Sequence, residues 1–242
     1  MMTDDLDTLL LELKLPKMRE IVNAEIERAT KEKPSYPTFL ARLLREEHAY
    51  KRERSLAHRI EQARLPERLS LATFPFDKQP AVDAAVVKTL AELEFVGRAQ
   101  NLVFIGPTGV GKTGIASAIL LRALENGHRG LFVRAQDLFD EMYASLADRS
   151  TRAMLDRLRR IDVLLIDELG YLNLKPEQSN IFFKLMEERY GKKATLITTN
   201  LEYEDWYGFL GQKQMVGALL DRLRHRCTTV RINGVSLRTP EG

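Results

Sequence analysis

The sequence predicts an α/β protein: a parallel sheet covered by helices, built around a phosphate-binding loop, with a small all-α domain in front. Three observations predict it. Gly106-Pro107-Thr108-Gly109-Val110-Gly111-Lys112-Thr113 matches G-x-x-x-x-G-K-[ST], with an apolar strand before it and a helical pattern after it. From Asn101 onward, short apolar runs alternate with helical patterns, the order that yields parallel strands joined by crossover helices. Residues 4–70 show helical spacing and no strand signal.

In chain order, Leu6, Leu9, Leu10 and Leu13 mark a first helix, and Lys14-Leu15-Pro16 breaks it. A second helix carries Met18, Ile21, Val22 and Ile26. Pro34 and Pro37 separate it from a longer third helix with Phe39, Leu40, Leu43, Leu44, Leu56 and Ile60, which Pro66 closes. The expected division is therefore a helical partner- or oligomer-binding domain over 1–70 and a second domain over 71–242, with 71–100 as a bridge. In the bridge, Phe74-Pro75-Phe76-Asp77 reads as extended, because the residue before proline avoids the helical region. One helix follows from Val82 to about Leu93. Strands are expected at Asn101–Ile105, Gly130–Val133, Val163–Ile166, Ala194–Thr198 and Thr228–Ile232. Helices are expected from Ile115 to Glu125, Gln136–Leu146, Ser150–Arg159, Glu177–Tyr190 and Gln214–Leu223.

Composition bounds the function. The chain has 242 residues, a 44% hydrophobic share and a formal charge of +3, ordinary values for a globular protein. The charge is patchy: residues 149–160 hold five arginines against one acid, and patches of that kind bind polyanions. Cys227 is the lone cysteine, which excludes an internal disulfide and fits a reducing compartment. No signal-peptide pattern and no membrane-spanning run is read, so the expected place is the cytoplasm, with no membrane partner.

The motifs carry the chemistry. The cofactor-binding loop is Gly106, Pro107, Thr108, Gly109, Val110, Gly111, Lys112, Thr113 and Gly114. Its setting places backbone N–H groups and a helix N-terminus against phosphates. Lys112 is expected to reach the β- and γ-phosphates of ATP, and the Thr113 hydroxyl to hold Mg²⁺. Ile161-Asp162-Val163-Leu164-Leu165-Ile166-Asp167-Glu168 reads as a buried strand with two carboxylates at its carboxyl end. Asp167 is placed to join Thr113 at the metal, as a Walker-B aspartate does, and Glu168 to act as general base on the attacking water. Ala194–Thr199 is a further apolar strand whose following Asn200 amide is positioned to hold that water. The helix ending Asp221-Arg222-Leu223-Arg224-His225-Arg226 offers Arg222, with Arg224 and Arg226 behind it, as an arginine finger. A finger in trans requires a homo-oligomer with ATP at its subunit interfaces.

Taken together, Gly106–Thr113, Leu164-Leu165-Ile166-Asp167-Glu168, Thr198-Thr199-Asn200 and Leu219-Leu220-Asp221-Arg222-Leu223 resemble AAA+ ATPases. Leu220–Leu223 followed by His225 and Cys227, with Leu15-Pro16-Lys17-Met18 and the Glu46-Glu47 helix at the front, resembles the IstB family of insertion-sequence ATPases. DnaC-type helicase loaders share the same core. The chain departs from many relatives after the P-loop, where Gly114-Ile115-Ala116 replaces His-Leu-Ala. Glycine there costs the helix up to about 1 kcal/mol without touching the phosphate cradle. With about a dozen residues after the last strand, the expected core lacks the C-terminal helical lid of larger AAA+ proteins.

The resemblance implies an ATPase that assembles on duplex DNA with ATP and Mg²⁺ and hands that DNA to a transposase (IstA-like). Candidate DNA contacts are Arg149, Arg152, Arg157, Arg159 and Arg160, which precede the Walker-B strand, and Lys192 and Lys193 in a loop nearby. All suit phosphates rather than bases. Two alternatives stay open: a replicative helicase loader with the same core and a helicase as partner, and a nucleotide-gated DNA-binding scaffold with negligible hydrolysis. Phe74 and Phe76 are candidates for adenine contact.

Overall fold

The computed structural model describes residues 4–67, 69–170, 172–211 and 213–237. Two compact units divide the chain, Met1–His58 and Arg59–Gly242.

The first unit contains α1 (Asp4–Glu12), α2 (Pro16–Glu32) and most of α3 (Tyr36–Ala63). Its core is Leu10, Met18, Val22 and Leu43, with Leu6, Leu15, Ile21, Ile26 and Phe39 packed around it. The helical spacing therefore finds the right helices, and only part of each apolar stripe is buried. Leu9, Leu13, Leu40 and Leu44 stay exposed, because a core of three helices is too small to cover a wider stripe. Glu47 is buried, and its Oε2 accepts the Met18 N–H at 2.9 Å. A carboxylate from α3 thus caps the start of α2, where the helix dipole favours negative charge.

The second unit is a five-stranded parallel sheet of β1 (Asn101–Ile105), β2 (Gly130–Arg134), β3 (Val163–Asp167), β4 (Ala194–Thr199) and β5 (Cys227–Arg231), in the order β2-β3-β4-β1-β5. The register pairs Phe104 with Thr198, Ile166 with Ile197, and Arg134 with Asp167. Helices α4 (Ala84–Leu90), α5 (Glu94–Gly97), α6 (Lys112–Glu125), α7 (Ala135–Ala147), α8 (Thr151–Arg159), α9 (Pro176–Arg189), α10 (Trp206–Leu210) and α11 (Lys213–His225) complete it. Successive strand residues point to opposite faces. Val103, Ile105, Leu164, Ile166 and Ile197 join the core beneath α7 to α11. Leu102, Phe104, Leu165 and Leu196 join the core beneath α4 and α6. This is the α/β parallel-sheet P-loop architecture behind an all-α front end that the sequence predicts.

Local differences have local causes. The single helix expected over Val82–Leu93 ends at Leu90, and Leu93 adopts a left-handed φ of 66° before α5 begins. Asp83 caps α4 by accepting the Ala85 and Val86 N–H groups. The stretch expected to be extended at Phe74–Asp77 instead tightens into a 3₁₀ turn over Phe76–Lys78. Strand β5 begins one residue earlier than expected and ends at Arg231. The Ile232 N–H still bonds Ile105 O at 2.9 Å. Helix α10 was not legible: it is five residues long and contains Gly208. No helix among the described residues is long and apolar enough to cross a membrane.

Candidate nucleotide site

The order β3-β4-β1 brings three strand ends together at one edge of the sheet. Open parallel sheets bind ligands outside the carboxyl ends of their strands, and a cleft of about 890 Å³ lies there. Thr108, Gly109, Gly111, Lys112, Thr113 and Gly114 line it from β1 and α6, Asp167 and Glu168 from β3, and Asn200 from β4. The predicted catalytic and cofactor residues are thus brought together, with four exceptions. Gly106 and Pro107 turn their carbonyls to Lys112 rather than to the cleft. Val110 is buried in the core. Arg222 lies elsewhere.

The phosphate loop owes its shape to glycine. Gly109 and Gly111 adopt φ of 86° and 95°, the left-handed region that other residues enter at a cost. Gly111 is also the N-cap of α6, so the first N–H groups of that helix open onto the cleft. The Lys112 ammonium donates to Gly106 O and Pro107 O, both at 2.7 Å, which holds it folded over the loop.

Asp167 is the hub of the opposite wall. Its Oδ1 accepts from Thr113 Oγ1 at 2.8 Å and from Thr198 Oγ1 at 2.6 Å. Burial pushes the Asp167 carboxyl above its ordinary range, and the Glu168 charge adds to that. The two hydroxyls and Arg134 pull in the other direction without cancelling it. The Thr198 oxygen also accepts the Glu168 N–H at 2.9 Å. Glu168 is exposed in the cleft at a φ of 58°, an uncommon conformation for a glutamate. The neighbouring hydroxyl of Thr199 donates to Leu169 O and accepts the Leu201 N–H, which fixes the turn carrying Asn200.

Two contributors escaped the sequence reading. Thr198 looks like a β-branched strand filler, and only the register of β3 and β4 sets it beside Asp167. Arg134 ends β2 in register with Asp167 and lines the cleft, a placement that the position of β2 at the sheet edge creates. Phe74 lines the cleft, whereas Phe76 packs edge-to-face against it at 4.8 Å and stays outside.

The late arginines do not enter this cleft within one chain. Arg222 pairs with Glu187 at 3.6 Å and lines a separate cavity of about 370 Å³. Arg224 lies over the Tyr203 ring, and Arg226 donates to Arg98 O. Of the candidate DNA contacts, Arg149, Arg152 and Arg159 share a groove with Lys184. Arg157 is held bidentately by Glu141, Arg159 pairs with Asp156, and Lys193 pairs with Asp162. Arg149 and Arg160 lie just beyond the two ends of α8, and Lys192 lies in the turn before β4. The expected continuous basic helix is therefore partly neutralised.

A magnesium nucleotide fits these residues. Thr113 Oγ1, in the first turn of α6 beside Lys112, and Asp167 Oδ1 are hard oxygen donors in contact at the cleft wall.

Comparison with known proteins agrees. The chain is 36% identical over 237 residues to the ATP-binding protein of insertion sequence IS21 from Pseudomonas aeruginosa, covering 98% of this chain and 89% of the relative. It is 34% identical over 229 residues to the ATP-binding protein of insertion sequence IS5376 from Geobacillus stearothermophilus, covering 95% and 91%. Among solved structures, DnaI matches with a TM-score of 0.59 and 24% identity, covering 69% of this chain and 92% of that one. AMPPCP-bound DnaA from Aquifex aeolicus matches with a TM-score of 0.59 and 21% identity over 70% and 51%. These structural likenesses show the fold: the parallel-sheet core of this chain is shared with both proteins. The family described as IstB-like ATP binding protein matches residues 8–241, and the chain belongs to that family.

Proposed function

We propose that this protein is an ATP- and Mg²⁺-dependent ATPase that assembles on duplex DNA and assists a transposase. The observation that carries the reading is the junction of Thr113 Oγ1 and Asp167 Oδ1 at 2.8 Å, beside Lys112 and Glu168 in one cleft. The names of its relatives, ATP-binding proteins of insertion sequences, support both the nucleotide and the transposition context.

Each residue then has a task. Lys112 exchanges the Gly106 and Pro107 carbonyls for phosphate oxygens, and the α6 N–H groups take the rest of the charge. Thr113 Oγ1 and the Asp167 carboxylate would hold Mg²⁺, which would supply positive charge to the phosphates. The Glu168 carboxylate takes the proton of the attacking water, which the Asn200 amide orients. Arg222 of a neighbouring subunit supplies positive charge to the γ-phosphate, consistent with its lying outside the cleft of its own chain. The groove of Arg149, Arg152, Arg159 and Lys184 contacts DNA phosphates. The helical front end serves the partner or the oligomer.

The test measures assembly size, duplex binding and phosphate release in ATP and in ADP. Lys112→Ala is expected to lose ATP-dependent DNA binding, and Glu168→Gln to retain it while turnover stops. Unchanged duplex binding by Lys112→Ala, with or without ATP, would sink the reading. Recovery of a hexameric helicase in place of a transposase would redirect the partner.

A further inference from the structure

The chain that follows β5 turns back across the outer side of the phosphate loop. The Leu237 N–H donates to Gly109 O at 2.9 Å. Gln79 is wholly buried, and its Nε2 donates to Val110 O at 3.3 Å and to Val235 O at 2.8 Å. The packing is close. A Cβ placed on Gly109 would lie 2.2 Å from Ser236 Oγ, and one on Gly111 would lie 2.8 Å from the Phe74 ring and 3.2 Å from Leu237 Cδ1.

The loop carbonyls therefore fall into two sets. Gly106 O and Pro107 O face the Lys112 ammonium, which must release them to reach a phosphate. Gly109 O and Val110 O are held by groups with no role at the phosphates. A phosphate cradle works by converging its N–H groups inward, which turns carbonyls outward. Outward carbonyls need partners if the loop is to keep one shape. Here those partners come from one buried amide and the segment after the last strand.

We propose that Gln79 and the segment Gly234–Leu237 form a strap that holds the phosphate loop from outside, keeping its N–H groups converged before the nucleotide arrives. Gln79 is a positioning residue. It ties the loop and the strap together through one side-chain nitrogen. Leu237, at the end of the strap, also joins Phe74 as an apolar wall of the cleft. The proposal rests on the nucleotide-binding reading of that cleft.

The test uses the full chain and three variants. Leu237→Pro deletes the N–H that Gly109 O accepts, while Leu237→Ala keeps it. Gln79→Glu sets an oxygen against two carbonyls. Amide exchange of Thr108–Gly111 is measured without nucleotide, and affinity is measured with a fluorescent ATP analogue and Mg²⁺. Leu237→Pro and Gln79→Glu are expected to speed loop exchange and to weaken the analogue by about threefold to tenfold, the range for a lost hydrogen bond. Leu237→Ala is expected to leave loop exchange at the parent rate. If Leu237→Pro folds and exchanges its loop amides at the parent rate, the strap is wrong. Should Gln79→Glu fail to fold, the Pro/Ala pair decides alone. A parent chain that binds no analogue sinks the nucleotide reading, and the exchange measurement still tests the strap.

Discussion

The two ends of the sheet treat polar groups in opposite ways. At the amino end, polar groups are saturated by the fold itself. Arg189 is wholly buried and donates to Leu158 O, Ile161 O, Ala194 O and Thr195 Oγ1, pinning the end of α8 to β3 and β4. Burial lowers its pKa to about 10, which still leaves it charged at neutral pH. Asn101 Oδ1 accepts the Thr195 N–H, and Asp162 takes up Lys193 and the Arg129 N–H. At the carboxyl end, Asp167 is buried among hydroxyls that hold it without neutralising it, and Glu168 stands exposed on a strained backbone. One end is closed by its own hydrogen bonds, whereas the other opens onto the cleft. The contrast is the general one between stability and activity: a site tuned to bind something else is not optimised to fold.

Four experiments break or sharpen this contrast. The largest effect is expected at the reactive end. Glu168→Gln should lower turnover by about 10²–10⁴, the usual range for a general base, with nucleotide affinity retained. Phosphate-release kinetics beside equilibrium binding separate the two. A parallel loss of affinity would mean that Glu168 binds rather than catalyses.

Next comes the saturated end. Arg189→Met removes four hydrogen bonds, three to carbonyls and one to Thr195 Oγ1, and should cost about 3 kcal/mol or more, a fall in melting temperature of about 6–12 °C. Affinity in the folded fraction should not change. A melting temperature within a degree or two of the parent would show that Arg189 is not a pin.

The third experiment tests Thr198, which serves the reactive end from behind. Thr198→Ala should weaken apparent Mg²⁺ affinity or activity by about 10–100-fold, as groups that orient a metal ligand do. Thr198→Ser, which keeps the hydroxyl, should restore most of it. Equal losses in both variants would assign the effect to packing alone.

The smallest effect contrasts two aspartates. Burial alone would raise Asp162, but hydrogen bonds from Lys193 and Arg129 outweigh it and hold the carboxyl below its ordinary range. Asp162 therefore contributes stability above its unfolded value near 3.8, and that stability is lost as the pH falls through the folded value. Asp167 is raised, so its ionised form opposes folding at neutral pH. Asp167→Asn should then stabilise the nucleotide-free protein by about 1 kcal/mol, while Asp162→Asn destabilises it at pH 7 and less so near pH 3. Thermal melts across pH decide, and a destabilised Asp167→Asn would refute the assignment.

The motif residues that meet in the cleft were legible because each rests on a local pattern. The P-loop needs glycine at positive φ, a lysine and a hydroxyl at fixed spacing. The Walker-B strand needs a near-continuous apolar run ending in carboxylates. Local pattern did not reveal Thr198 and Arg134, whose roles exist only through strand register, or the Gln79 amide, which meets Val235 across 156 positions of chain. Helical spacing likewise marked the helix of Leu6, Leu9, Leu10 and Leu13 but not which of them are covered: Leu10 is buried, whereas Leu9 and Leu13 lie at the surface.

By itself, the sequence determined the helical front end, the alternation of strands and helices, and the cluster of Lys112, Thr113, Asp167 and Glu168. Periodicity and motif spacing are properties of neighbours along the chain, and they survive without any knowledge of packing. Tertiary structure alone decided the order β2-β3-β4-β1-β5, which sets Thr198 beside Asp167 and leaves Arg222 outside the cleft of its own chain. The physical reason is that burial and charge proximity depend on which strands lie side by side, and crossover connections let residues far apart in sequence share one edge of the sheet.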